Sequence, residues 1–390
     1  MMPYFGEGRG KDRGACPRGQ PAYDAPEVRQ EVDMAPFQSG QRRGNKREGR
    51  DMLTRREALR RSAAIAAAVA GGRLLAPYLA TVFGGQAAPL PPPETTTIRL
   101  GTLPCDHPVM ASEPFLQQEA FTRVEILGGQ QLASGRVDID IAFTAFDIAQ
   151  LLEAGQRPVV LAPLHPGCVE IWAQPGIQSL QDLRGRTVAV TARTLVNAGY
   201  SNLAIVLKHA GVDPAQVNWV VQPDANPVAL FLAGQNDAVR VATVGAAALR
   251  SNPANRGHVI HNQLMDRPWS LLPCCMLVAR QEWYRANPIA AKRAVRAVLR
   301  SADAQTASRA DAVKRVTDRG LFGGPANFDN VLYAASMVPA NWRDLDMERS
   351  LRFYAQLLAD VGLLKVSVDD IVRTVDLRIL EELRAEFRPR

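Results

Sequence analysis

Thr187-Val188-Ala189-Val190-Thr191, then Leu195 to Ala210, then Gly211-Val212-Asp213-Pro214, carries the architecture in miniature. The first five residues are a short apolar run of the kind that forms a strand covered on both faces. From Leu195 to Ala210 apolar residues recur at helical spacing. Gly211 is placed to stop that helix, and Asp213-Pro214 turns the chain.

The same alternation extends in both directions. Upstream, Ile98–Leu103, Arg123–Leu127, Ile139–Thr144, Val159–Leu164 and Val169–Ala173 read as strands. Thr187–Thr191 opens a second series with Val217–Val221, Ala238–Ala242, His258–Asn262 and Cys275–Ala279. Strands alternating with amphipathic stretches predict α/β lobes with mostly parallel sheets. After Gln281 the strands stop: 287–319, 325–337 and 346–362 read as helices, and Val368 to Phe387 as one or two more. Asp346 is the expected N-cap of the Met347–Val361 helix, with Gly362 just past its end. No internal repeat of fixed period is visible.

The chain has 390 residues and a formal net charge of +7, but the charge is unevenly placed. Residues 1–88 hold 15 Lys/Arg and 9 Asp/Glu, leaving 31 and 30 for the other 302. The basicity belongs to the leader, so a nucleic-acid partner has no compositional support. Residues 1–51 are too rich in Gly, Arg, Pro and Gln to bury a core and read as a disordered basic extension. Met52 is an alternative start. Thr54-Arg55-Arg56 with Leu59, ahead of the apolar run Ala63–Ala70, resembles a twin-arginine export signal spanning 52–88. Gly71, Gly72 and Arg73 interrupt the apolar run short of the ~20 residues a spanning helix needs. Arg55 and Arg56 are the export-signal residues, and the twin-arginine translocase is the implied export partner.

Local catalytic and metal motifs are missing. There is no His-Glu-x-x-His, Cys-x-x-Cys, Gly-x-Ser-x-Gly or Walker sequence, so no metal, cofactor or catalytic residue is expected. Beyond the leader the cysteines are Cys105, Cys168, Cys274 and Cys275. Neighbours on a strand face opposite ways, so a Cys274–Cys275 disulfide is not expected; Cys105 and Cys168 could approach each other. Buried free thiols are the expected state.

In open α/β sheets, ligands bind beyond the carboxyl ends of strands, facing helix N-termini. Those places hold Thr102 and Asp106, Thr144 and Phe146, and His165 in the first series. In the second they hold Thr191, Arg193, Thr194 and Asn197, then Asn226, Thr243, Arg267 and Trp269. Hydroxyls, amides, a few Arg and aromatic rings with few carboxylates suit a small-ligand cleft. A cap or turn is the plain alternative for any one of them.

Several stretches are similar to a known family. Ser134-Gly135 before Val137-Asp138-Ile139-Asp140-Ile141-Ala142 resembles a strand of periplasmic solute-binding proteins. So do Ile177-Gln178-Ser179-Leu180-Gln181-Asp182-Leu183-Arg184-Gly185-Arg186-Thr187-Val188 and Phe231-Leu232-Ala233-Gly234-Gln235-Asn236-Asp237-Ala238. Pro273 to Arg280 looks like the return strand of the nitrate/sulfonate/taurine branch of ABC importers. The resemblance covers roughly 97–387.

It implies a type II periplasmic binding protein fold, two doubly wound lobes joined by two hinge crossings. Lobe 1 would be 97–175, lobe 2 176–275, and 276–390 would complete lobe 1 and add the C-terminal helices. The crossings are expected near Ala173–Ile177 and Cys275–Arg280. The implied role is that of an exported, monomeric periplasmic protein that closes on a small organic or anionic solute and hands it to an ABC transporter permease. Thr191 to Asn197 fits the helix start that offers amides to an anion, with Arg193 the one candidate cation there. The rivals are a biosynthetic enzyme on the same fold, of thiamine-precursor type, and a ligand sensor docking on a membrane receptor. The enzyme would need His165 or Asp106 as acid or base.

Overall fold

The computed structural model describes residues 90–304, 309–338 and 341–388. The leader, with Arg55 and Arg56, lies outside the described residues. Strands β1 (Thr97–Thr102), β2 (Arg123–Gly128), β3 (Ile139–Phe143), β4 (Pro158–Pro166) and β5 (Val169–Ala173) come first. They are followed by β6 (Thr187–Val190), β7 (Asn218–Val221), β8 (Ala238–Ala242), β9 (His258–Asn262) and β10 (Pro273–Arg280). Helices of eight residues or more are α1 (Thr144–Glu153), α2 (Ala198–His209), α3 (Thr243–Ser251) and α4 (Pro288–Asp303). Then come α5 (Arg309–Asp318), α6 (Phe328–Met337), α7 (Met347–Asp360) and α8 (Arg378–Glu386). The expected 287–319 helix is therefore two, α4 and α5.

The largest sheet has the order β2-β1-β3-β10-β4. β1 runs parallel to β2 and β3, whereas β10 is antiparallel to both its neighbours. A second sheet, β8-β5-β9, is wholly antiparallel, and β6-β7 is a parallel pair. The sheets are thus mixed rather than mostly parallel. Returning chain segments enter them from the opposite direction. The apolar runs behave as expected for covered strands: every residue of β3, β4 and β5 is buried, and all of β10 except Arg280.

Strand pairing moves both crossings from their expected places. β5 bonds to β8 and β9, so the chain has already left the first sheet by Val169, and it crosses at Gly167–Cys168 rather than Ala173–Ile177. β10 pairs with β4 from Pro273 onward, so the return is complete before Cys275–Arg280. Gly167 is needed at the first crossing, because a Cβ there would lie 2.3 Å from the Gln263 carbonyl oxygen.

Local signals set the helix ends. Asn197 accepts from the Tyr200 amide at 2.9 Å to cap α2, and Gly211 leaves it at φ 76°. Asp346 accepts from the Arg349 amide at 3.0 Å to cap α7.

Candidate functional site

A cavity of about 220 Å³ opens between the carboxyl end of β6, the middle of β8 and the start of α2. Its polar lining is Thr191, Asn197 and Arg240, with Gly199 at the helix start and Val188, Val190, Val228 and Val239 as the apolar wall. No carboxylate lines it. Asn197 Nδ2 donates to Thr191 Oγ1, which fixes the amide while its Oδ1 caps the helix. Among the described residues, the Ala198 and Gly199 amides have no partner, as is usual for first-turn amides. Gly199 lines the cavity, so the positive end of the α2 dipole borders it.

Arg240 is the cation of this site, and sequence reasoning passed over it. It is the middle residue of β8, Ala-Val-Arg-Val-Ala, where a lone Arg in an apolar strand is the signal that could have found it. Its guanidinium lies over the Phe143 ring, 5.5 Å from the centroid, and so reaches from the second strand series to the first. Its buried Nε has no hydrogen-bond partner among the described residues. Burial pushes its pKa below the usual value, while the charge of the nearby cysteines acts the other way.

Arg193, the expected cation, is exposed and stacks over Tyr200 at 5.4 Å. Thr194 is exposed, and its carbonyl accepts from the Asn197 amide at 3.2 Å. Asn226 caps the short helix Pro227–Leu232, accepting from Val228 and Ala229 amides at 3.0 and 3.2 Å. Arg267 is exposed. Trp269 does not line the cavity. It is 1% exposed and packs edge-on against His209, His261, Phe353 and Tyr354 at 5.0–5.7 Å, joining α2 to α7. Thr243 is buried at the start of α3, its amide donating to the Cys168 carbonyl at 3.2 Å.

The first-series residues gather instead at the carboxyl ends of β1, β3 and β4. Thr102 is buried. Thr144 begins α1 with φ 48°, a left-handed conformation that is costly for a branched residue, and its buried Oγ1 has no partner among the described residues. Phe146 is buried and stacks on Phe143 at 5.3 Å. Asp106 Oδ1 lies 2.8 Å from His165 Nε2, and His165 Nδ1 lies 2.9 Å from the Pro166 carbonyl oxygen. Burial opposes a charged imidazole, yet the hydrogen bond and charge of Asp106 lift His165 above its ordinary value. Burial likewise lifts Asp106, against the pull of His165.

Around this pair the four cysteines converge, all buried and free. Cys274 Sγ is 3.0 Å from Cys168 Sγ, 3.8 Å from Cys275 Sγ and 3.8 Å from His165 Nδ1. Cys105 Sγ is 3.8 Å from Asp106 Oδ2. Cys274 and Cys275 are both free, and their sulfurs stand 3.8 Å apart where β10 shifts register against β4 on both sides of Cys275. Cys105 and Cys168 are both free and fall in different close groups, each of which includes Cys275. The neighbouring thiols, with Cys274 donating at 3.0 Å, hold Cys168 below the usual thiol range against burial. Two overlapping groups have ligating atoms within 4.8 Å of one another: Cys105, Asp106, His165 and Cys275, and Cys168, Cys274 and Cys275. The expectation of no metal-ligating set rested on local spacing, and these residues are brought together from distant segments.

Comparison with solved structures decides the architecture. The alkanesulfonate-binding protein SsuA from Xanthomonas axonopodis pv. citri, bound to MOPS, is similar with TM-score 0.55 and 17% identity, over 74% of this chain and 99% of that one. The periplasmic nitrate-binding protein NrtA from Synechocystis PCC 6803 gives TM-score 0.56 and 16% identity, over 75% and 89%. The aliphatic sulphonate binding protein SsuA from Escherichia coli gives TM-score 0.55 and 15% identity, over 72% and 92%.

The fold is that of the periplasmic binding proteins.

Residues 164–312 of this binding-protein fold match the family described as NMT1/THI5 like. No curated protein matches the sequence. No helix among the described residues is long and apolar enough to cross a membrane.

Proposed function

We propose that this chain is an exported solute-binding protein that captures a small anion and delivers it to an ABC transporter permease in the membrane. The observation that carries the reading is the pairing of Arg240 with the open N-terminus of α2 in a cavity without carboxylates. Fixed amide dipoles and a guanidinium favour an acceptor-rich anion over a cation or a neutral apolar molecule. At about 220 Å³ the cavity is below the ~300–1,000 Å³ of drug-sized sites, so the cargo is compact. The binding proteins that share the fold, with names that specify sulfonate and nitrate, support the anionic class. Thr191 and Asn197 would hold the anion's oxygens, and the Phe143 face under Arg240 would fix the guanidinium plane.

A catalytic reading would draw on the His165–Asp106 pair, which stands next to thiols. With side chains only 1% and 0% exposed, that pair is shut away from a solute, and we place this reading second. Docking on a receptor instead of a permease would use the same cavity and differ only in the membrane protein recovered by cross-linking.

Titration calorimetry with nitrate, sulfate, bicarbonate, short carboxylates and alkanesulfonates tests the proposal. Binding of at least one anion is expected, with Arg240→Gln weakening it by at least about tenfold, the range of a charge-assisted hydrogen bond. Silence across the panel, or undiminished affinity in Arg240→Gln, overturns it.

A further inference from the structure

We propose that Cys168 and Cys274 are a disulfide-forming pair, which closes when the folded chain meets a small or protein disulfide as oxidant and ties the two crossings between sheets to each other. The pair is separate from the anion cavity, and its test does not depend on the transport reading.

Geometry selects the partners. Both thiols are free and buried, and their sulfurs stand 3.0 Å apart. Nonbonded carbon atoms rest ~3.5–4.0 Å apart and sulfur is larger, so the contact is tighter than packing alone gives. A bond of ~2.05 Å is reached by closing that gap by roughly 1 Å. Other combinations fit less well. The Cys274 and Cys275 sulfurs are 3.8 Å apart, and as chain neighbours their Cα atoms are ~3.8 Å apart, short of the ~4.4–6.8 Å that a disulfide spans. Cys105 groups with Asp106, His165 and Cys275, not with Cys168 and Cys274.

The backbone on each side is anchored, so the two thiols are held in register. Gly167 packs against the Gln263 backbone, and the Cys168 carbonyl accepts from the Thr243 amide at 3.2 Å. Next to Cys274, the Pro273 carbonyl accepts from Ser350 Oγ at 2.7 Å.

The environment also orders the chemistry. Neighbouring thiols hold Cys168 below the usual thiol range, and its residue is 4% exposed against 0% for Cys274. Cys168 is therefore the attacking thiolate. It displaces one thiolate from the oxidant disulfide and is left in a mixed disulfide. Burial keeps Cys274 protonated, so its deprotonation and attack on the Cys168 sulfur form the slow step. That attack releases the second thiolate. The two protons lost by the cysteines go to the two released thiolates, and the oxidant takes up two electrons.

The position of the bond sets its role. Cys168 belongs to the first crossing, and Cys274 stands where the second one ends. A bond between them closes a loop through 168–274, and closing a long loop restricts the unfolded chain most.

The test uses the full chain, purified reduced and treated with excess oxidised glutathione. It is run in buffer and in urea below the unfolding transition, where local opening admits the oxidant but native pairing still decides the product. Acid quenching, alkylation in denaturant and peptide mapping without reduction read the result. A Cys168–Cys274 cross-link is expected, with two hydrogens lost from the intact mass. Cys105→Ser and Cys275→Ser should each keep it. The oxidised wild-type chain should have a higher urea midpoint than the reduced one, and Cys168→Ser treated alike should show no rise. Thiols that stay free in both conditions overturn the pair. So does glutathione left on Cys168 without a cross-link, or a cross-link that uses Cys105 or Cys275 instead. These outcomes are read on the wild-type chain and stand whether or not any variant folds.

Discussion

Asp106 Oδ1 and His165 Nε2 meet at 2.8 Å across 59 residues of sequence, with neither side chain open to solvent. Asp106→Ala leaves a buried imidazole without its counter-charge. It should cost about 3–5 kcal/mol in a urea denaturation, the range for breaking one side of a buried pair. Asp106→Asn still accepts from Nε2–H and should cost only about 1–3 kcal/mol. Equal losses in the two variants would show that the pair is held by shape rather than charge.

A half-buried carboxyl and a buried imidazole near the site give opposite pH slopes. Burial lifts the Asp147 carboxyl to about 7, against hydrogen bonds from the Phe143 amide and Gln130. Between the unfolded carboxylate value and about pH 7 the folded state holds the extra proton, so this group's contribution falls as pH rises. Burial drops His107 to about 3, helped by the charges of Arg309 and His165. Its contribution is full above the unfolded imidazole value and is lost as pH falls toward 3. Asp147→Asn should therefore make the slope of stability against pH more positive between pH 4 and 7, by up to about 1.4 kcal/mol per unit. His107→Phe should make it more negative between pH 3 and 6.5. Denaturant midpoints across that range check both signs.

Trp269 acts as a spacer between α2 and α7, not as a wall of the cavity. Trp269→Ala should cost about 3–5 kcal/mol, the usual range for deleting a fully buried ring. A loss under about 1 kcal/mol would mean that the four surrounding rings close over the gap.

If Arg55 and Arg56 belong to a twin-arginine signal, Arg55→Lys with Arg56→Lys should retain the protein in the cytoplasm. Fractionation followed by immunoblotting reads the outcome, and unchanged export removes the assignment.

The strands were the most legible part of the chain. All ten lie near where the sequence places them, and the covered ones were plainest, because a strand covered on both faces leaves a continuous mark such as Val159–Leu164. Caps were equally plain: Asp346 and Gly362 act locally, and local chemistry determines them. Direction was harder to read. Whether Pro273–Arg280 runs with or against its neighbours depends on where it enters the sheet, which no run of its own residues records. Of the cavity's polar lining, Thr191 and Asn197 stand at a helix start, which has a sequence pattern, whereas Arg240 occupies mid-strand and answers to no motif. The thiol cluster escaped for a sharper reason. Its members come from three separate segments, around Cys105, Cys168 and Cys274-Cys275, and the register of β10 is irregular there.

The place of β10 has a bearing on how this chain must be made. Pro273–Arg280 fills a slot between β3 and β4, which lie more than a hundred residues earlier, so the largest sheet stays split until that strand has been synthesised. Two long apolar edges face water in the meantime, the condition under which strands pair with the wrong chain. Assembly is then governed by a late, non-local step and should be slow. Any truncation before residue 280 should yield aggregate rather than a smaller soluble lobe.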